Sequence, residues 1–328
     1  ILQCLRKDPA FQVKLPMFSF LPSFILLPIS FSLFCFNLVI CGSFIFIGGL
    51  IKFLIPSTIF DRIFYRPMHS FYRLWAANNT AIIKLTNNVN WKVTGLDNVN
   101  KENWYLIIAN HQSWLDIFVV TDLARNKIPE PKFFLKESLR KVPFVGMACW
   151  ALDMPFMKRY SKTFIDQHPH LKGQDIETTK KSCQSFKSNP TSIINFVEGT
   201  RFTSAKHRSS PFQHLLTPKA GGIAFTLATL GENFDKIIDV TIVYPSSGKH
   251  IMKDVLCGRL KDITVHVELV DVSTELIGDY CSNEQFKADF QQWLNGQWQT
   301  KDELITQLNL AHHQNEKTEP PINRQLTS

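Results

Sequence analysis

Residues 15–51 contain no Asp, Glu, Lys, Arg or His, and this 37-residue stretch limits what the chain can become. One membrane-crossing helix needs about 20 predominantly apolar residues. The stretch is too long for a secretory leader, and no small-residue cleavage site follows it cleanly. Pro16, Pro22 and Pro28 interrupt its first half, whereas residues 29–51 lack proline. Two arrangements fit: one span over residues 30–51, or a tight hairpin that enters the bilayer and returns. A buried helix of a soluble core fits this length less well. Residues 1–58 are therefore expected to form a membrane anchor. The first residue is Ile1, so the natural chain is expected to begin earlier.

After the apolar run, Lys52, Arg62, Arg66 and Arg73 are interleaved with Phe60, Phe64, Tyr65, Phe71, Tyr72, Leu74 and Trp75. Residues 59–90 read either as an interfacial helix on anionic lipid or as an amphipathic helix packed on the next domain. The cations predict that the domain after the anchor lies on the cytoplasmic side, while Arg6, Lys7 and Lys14 on the other flank favour the hairpin. On that side the Asn78-Asn79-Thr80 sequon is a chance match. A formal net charge of +8 suits a phospholipid surface or a phosphorylated substrate. No basic heptad helix, RNA-binding aromatic signature or finger spacing occurs, so nucleic acid is not expected. Seven cysteines without a CxxC pair give neither a disulfide framework nor a metal site. They point to a reducing, cytosolic setting for the catalytic domain.

Residues 91–272 alternate strand and helix patterns. Strands are predicted at 91–94, 104–109, 132–135, 192–197, 238–244 and 263–269. Helices are predicted at 113–125, 145–151, 175–188 and 218–230, the last with Thr217 as N-cap and Pro218 at its first position. Such alternation indicates an α/β sheet flanked by helices, whose sites gather at strand ends. A final helix over 283–310 carries Phe286, Phe290, Trp293, Leu294, Trp298, Ile305 and Leu308 on one stripe. The domain should run over 91–311. Residues 312–328 are polar with Pro320 and Pro321, and are expected to be a disordered tail. His312-His313 and His168-Pro169-His170 lack metal-ligand spacing and read as solvated.

The chemistry-bearing residues follow the apolar runs. Tyr105-Leu106-Ile107-Ile108-Ala109 leads into Asn110-His111-Gln112-Ser113-Trp114-Leu115-Asp116. Asp116 falls about one turn into the next helix, so its carboxylate can reach back to the imidazole. A carboxylate on one ring nitrogen fixes the tautomer and leaves the other nitrogen to take a proton from a hydroxyl. Taken alone, His111 could equally cap the strand and Asp116 be a surface acid. Further blocks follow in order: Leu152-Asp153-Met154-Pro155-Phe156-Met157-Lys158-Arg159, then Ser192-Ile193-Ile194-Asn195-Phe196-Val197 into Glu198-Gly199-Thr200-Arg201, then Val240-Thr241-Ile242-Val243-Tyr244 stopping at Pro245. Arg159 and Arg201 can anchor a phosphate, because a guanidinium fork matches two phosphate oxygens. Gly199 admits a bulky ligand close to the backbone. Glu198 is expected to pair with Arg201 and orient it, with Lys219 as an extra phosphate or donor contact.

These four blocks resemble the glycerolipid acyltransferases, which include the 1-acylglycerol-3-phosphate (lysophosphatidate) acyltransferases. The resemblance covers about residues 91–272, and the second block is similar to a bacterial branch near the lysocardiolipin-type enzymes. Asp153 and Pro155 stand where many members carry glycine and isoleucine. The resemblance implies a mixed sheet flanked by helices, as in the glycerol-3-phosphate acyltransferases. It implies His111 as catalytic base, Asp116 as its partner, and Glu198, Gly199, Thr200 and Arg201 as the acceptor-phosphate site. It also implies acyl-CoA or acyl-carrier protein as co-substrate with no other cofactor, and a lysophospholipid as acceptor. The place expected is the cytoplasmic face of a membrane, the inner membrane in a bacterium. Two rivals remain at this stage: a membrane phosphohydrolase, which lacks the histidine and carboxylate clusters it would need, and a catalytically idle membrane scaffold.

Overall fold

The computed structural model describes residues 18, 20–54, 58–125, 127–142, 144–157, 186, 190–248, 250–280 and 282–318. Two long helices, α1 (Ser23–Leu54) and α2 (Thr58–Thr86), precede β1 (Asn90–Thr94) and β2 (Tyr105–Ala109). Then come α3 (Leu115–Ala124), β3 (Pro131–Phe133), β4 (Leu135–Lys136), a 3-10 turn (Glu137–Lys141), α4 (Val145–Ala151) and β5 (Phe156–Met157). The chain continues through β6 (Ser192–Phe196), α5 (Ser204–His207), α6 (Ala220–Leu230), β7 (Lys236–Val243), α7 (Ile251–Leu256), β8 (Asp262–Asp271) and α8 (Glu284–Thr318). Of the helix predicted at 175–188, all but residue 186 lies outside the described residues.

Six strands form one mixed sheet in the order β1-β8-β7-β2-β6-β3, parallel throughout except for the β7–β8 pair. β2 is central and every residue of it is buried, as expected for a strand covered on both faces. Its side chains alternate between two apolar layers. Tyr105, Ile107 and Ala109 join Ile83, Leu115 and Val119 of α2 and α3. Leu106 and Ile108 join Ile223, Leu227, Leu294 and Trp298 of α6 and α8. The register aligns Ala109 with Phe196 of β6 and Val240 of β7. The residues following β2 and β6 therefore emerge side by side, with the end of β7 beside them.

Among the described residues the apolar stretch is one helix that runs through Pro28, with no reversal. Its buried positions, Leu26, Ser30, Phe34, Asn37, Cys41 and Ile45, recur every three or four residues and make one face. That face packs along the domain. Phe34 stacks on Phe118 of α3 at 5.3 Å, and Asn37 donates to Trp75 O and Asn79 Oδ1 of α2. The opposite face exposes Phe36, Val39, Ile47 and Leu50. α2 is packed between α1 and α3, with Met68, Tyr72, Ala76 and Ile83 buried. Arg73 is tied to Glu130 at 2.7 Å, so this cation faces a carboxylate rather than lipid. Asn79 and Thr80 are buried.

Two boundaries differ from expectation. α6 begins at Ala220, and its N-cap is Lys219, not Thr217. Leu216 N–H is drawn to Glu198 and Lys219 N–H to Val197 O, which holds the chain extended to Lys219. α8 continues past residue 310 to Thr318. A helix already nucleated on a packed face adds further residues at little cost, whatever their polarity. His312, expected to be solvated, lies 3.0 Å from Ser246 Oγ.

Candidate active site

His111 sits in the loop between β2 and α3, and three neighbouring elements fix it. Its ring stacks on Phe196, the last residue of β6, at 4.1 Å and 17°. Its carbonyl accepts the N–H of Phe202 at 2.7 Å. Its Nδ1 lies 2.8 Å from Asp116 Oδ2, so Nδ1–H donates to the carboxylate and the lone pair is left on Nε2. Asp116 is fully buried, and a buried carboxylate must have its charge compensated. Oδ2 also accepts the N–H groups of Gln112 (2.6 Å) and Ser113 (2.9 Å), and Oδ1 accepts the Tyr244 hydroxyl at 2.6 Å. Burial and the Asp116 charge push the Tyr244 hydroxyl well above its ordinary pKa, so it stays a donor. Asn110 closes the arrangement: its amide donates to Ile242 O and accepts Ile242 N–H, both at 2.9 Å. The loop is thereby clamped to β7.

Glu198 and Arg201 diverge. The Glu198 carboxyl turns inward, is 2% exposed, and accepts Leu216 N–H at 3.3 Å. Burial drives its pKa up to about 8, so it is neutral at pH 7. No ion pair joins it to Arg201 among the described residues. The expected orienting pair is therefore replaced by a buried, protonated strut, because the end of β6 carries the carboxyl into the core. Arg201 is exposed and lies over the Trp114 ring at 4.4 Å. Gly199 adopts φ 67, a left-handed conformation that favours glycine. A side chain there would press on Lys219, whose aliphatic stem and ammonium lie alongside. Lys206 reaches Thr200 Oγ1 at 2.5 Å and Arg201 O at 3.4 Å.

The structure thus gathers Arg201, Lys206 and Lys219 around Gly199–Thr200. Arg159 lies outside the described residues, and the second block is described only to Met157. Sequence reading missed Lys206, the Tyr244 hydroxyl and the clamp from α8. In that clamp Asp302 accepts the N–H groups of Gln213 (2.8 Å) and His214 (2.7 Å), in the segment that presents Leu216 to Glu198. The adjacent Lys301 donates to Asp239 and to Val240 O of β7. No group of three or more His, Cys, Asp or Glu fit to hold a metal occurs among the described residues.

A strand-end imidazole backed by a buried carboxylate has the geometry to take a proton from a hydroxyl, and the loop that carries Arg201 is bonded to its carbonyl. Residues 90–245 match the family model described as Acyltransferase. The chain is 27% identical over 243 residues to a probable 1-acyl-sn-glycerol-3-phosphate acyltransferase 5 of Arabidopsis thaliana, covering 69% of this chain and 60% of that one. It is 26% identical over 297 residues to lysocardiolipin acyltransferase 1 of Danio rerio, covering 84% and 70%. The fold is similar to the crystal structure of the 1-acyl-sn-glycerophosphate (LPA) acyltransferase PlsC from Thermotoga maritima. That match has TM-score 0.51 and 18% identity, and covers 87% of this chain and 97% of that one. Residues 90–245 thus carry an Acyltransferase domain, in a chain similar to 1-acyl-sn-glycerol-3-phosphate and lysocardiolipin acyltransferases and with the fold of PlsC.

Proposed function

We propose that this enzyme moves a fatty acyl group from a thioester, acyl-CoA or acyl-carrier protein, to the free hydroxyl of a lysophospholipid, with 1-acylglycerol-3-phosphate as acceptor. The observation that carries the reading is the His111–Asp116 pair with Nε2 open beside the Arg201, Lys206 and Lys219 cations. Nε2 removes the acceptor hydroxyl proton as the oxygen attacks the thioester carbonyl. The Asp116 charge stabilises the imidazolium that forms. The tetrahedral intermediate then collapses, the C–S bond breaks, and the imidazolium returns its proton to the departing thiolate. The acyl group passes directly, with no covalent enzyme intermediate and no cofactor beyond the thioester. The cations bind the acceptor phosphate.

The exposed apolar face of α1 supports attachment to a membrane surface, with the packed face on the domain and the opposite face in one leaflet. We favour this over a simple span, for which α1 is long and apolar enough, because one side of the helix is covered by protein along its length. The cytoplasmic side, where the thioester donors reside, fits the reaction. A second reading, with lysocardiolipin or another lysophospholipid such as lysophosphatidylglycerol as acceptor, is favoured by match length. The zebrafish lysocardiolipin enzyme aligns with 84% of the chain, against 69% for the Arabidopsis one. Purified protein in detergent, given acyl-CoA or acyl-carrier protein and a lysophospholipid panel, tests both readings. Transfer to lysophosphatidate is expected to be fastest. Faster transfer to lysocardiolipin would select the second reading, and no transfer to any acceptor would reject both.

A further inference from the structure

The surface at the 3-10 turn and the start of α4 has no part in the chemistry above. Val142, Phe144 and Val145 are exposed at 40%, 59% and 41%, three large apolar side chains within four residues. Phe144 has φ 63, a conformation that bulky L-residues rarely adopt. The turn that imposes it is tightly closed. Val142 N–H donates to Leu139 O at 3.0 Å, and Gly146 N–H to Val142 O at 2.9 Å. A Cβ at Gly146 would collide with the Arg140 carbonyl. The Phe144 ring is thus held outward by the backbone, and it packs on Phe46 of α1 at 4.9 Å. The apolar face of α1 therefore continues onto this turn.

Between them lies a cleft of about 360 Å³ lined by Phe46, Phe53, Val142, Phe144, Met147 and Trp150, with Arg140 and Lys141 on its edge. None of these residues belongs to the His111 or Arg201 groups. Glu137 lies 3.4 Å from Arg140 and offsets part of its charge, leaving the rim with one net positive charge among these three. An apolar slot with a cationic lip is the complement of a phospholipid: acyl chain inside, phosphate at the edge.

We propose that this cleft seats an anionic phospholipid of the host bilayer, distinct from the acceptor, with its chain between α1 and α4 and its phosphate against Arg140 and Lys141. The proposal rests on the reading of α1 as lying in the membrane surface. The test uses the full chain in vesicles of phosphatidylglycerol and phosphatidylcholine. A photo-crosslinking phenylalanine analogue is placed in turn at position 144, at position 36 on the exposed face of α1, and at position 299 on α8. Lipid adducts are expected at 36 and 144 and not at 299. At 144, phosphatidylglycerol should be favoured about fivefold, the effect of one net cation near an anionic surface. Arg140→Gln with Lys141→Gln leaves Glu137 alone on the rim and should bring that ratio to one or below, leaving adducts at 36 and acyl transfer in detergent unchanged. Adducts at 36 without adducts at 144 would overturn the proposal and leave the membrane reading intact. Absence at both positions would overturn the two together. Equal yields of the two lipids at 144 would also overturn it, by removing the phosphate contact.

Discussion

Asp116 holds four hydrogen bonds in a site closed to water, whereas Arg201, next to the Phe202 that bonds the His111 carbonyl, rests on the face of one exposed tryptophan. The base side is fixed by backbone and buried side chains from β2, β6 and β7. The cationic side is made of long, exposed side chains around one glycine. Proton transfer is sensitive to small displacements, so its groups must be held by packing. A phosphate can be met by flexible cations that fold onto it, at the expense of side-chain entropy. The two sides should therefore fail differently when altered: the first in turnover, the second in acceptor affinity.

The largest effect should come from His111→Ala, which removes the proposed base and should lower kcat by about 10²–10⁴. The variant should remain folded by circular dichroism, because His111 anchors through its backbone carbonyl. Retention of more than half the wild-type turnover would end the assignment. Arg201→Ala should raise KM for a phosphate-bearing acceptor by about one to two decades, the worth of a charge-assisted contact, with little change for the thioester. An equal rise with an acceptor lacking the phosphate would erase the contrast between the two sides.

Tyr244→Phe sharpens the contrast on the base side. It deletes only the hydroxyl that meets Asp116 Oδ1, and kcat should fall about tenfold with KM for the acceptor unchanged. A shift in KM instead would mean that Tyr244 serves binding. Glu198→Gln should have the smallest effect on rate at neutral pH, because the native carboxyl is already neutral there. Its mark is on stability. The folded carboxyl titrates at about 8 against an ordinary 4.5, so between those values the folded state holds a proton that the unfolded state has released. Wild-type stability should therefore fall as pH rises from 4.5 to 8 and level off above, by an amount on the order of a few kcal/mol. The Gln variant should lack that slope in thermal unfolding across pH 5–9. Parallel curves for the two proteins would show a charged Glu198.

The His111–Asp116 pair was legible in the sequence because both partners lie within five residues on a strand–helix junction. The order of strand and helix signals likewise gave the α/β class. Tyr244 joins Asp116 across 128 residues, and Asp302 reaches His214 across 88. Those contacts depend on β2 lying between β6 and β7 and on α8 returning to the sheet, and local periodicity carries no such information. The Glu198 pairing is not legible because the nearest charged residue in sequence is the cation Arg201, while in space its carboxyl is buried and meets a backbone amide. The departure at Asp153 has a physical reading as well. Asp153 adopts φ 56, where glycine is favoured and Asp is among the side chains best tolerated, and its carboxylate meets Lys52 of α1 at 3.4 Å.

That contact belongs to a wider pattern in α1. Phe34 is part of the same buried cluster as Ile83, Leu115 and Val119, and Ile45 shares one with Met68, Tyr72 and Ala151. The segment most easily mistaken for a detachable leader is thus a wall of the catalytic domain. Expression fragments that begin after it would present bare core surface to water, each lost aromatic or aliphatic contact weighing about 1.5–3 kcal/mol. Their insolubility would report a missing wall and not a missing anchor. The proposed membrane attachment is therefore better tested with detergent or altered surface residues than with a shorter gene.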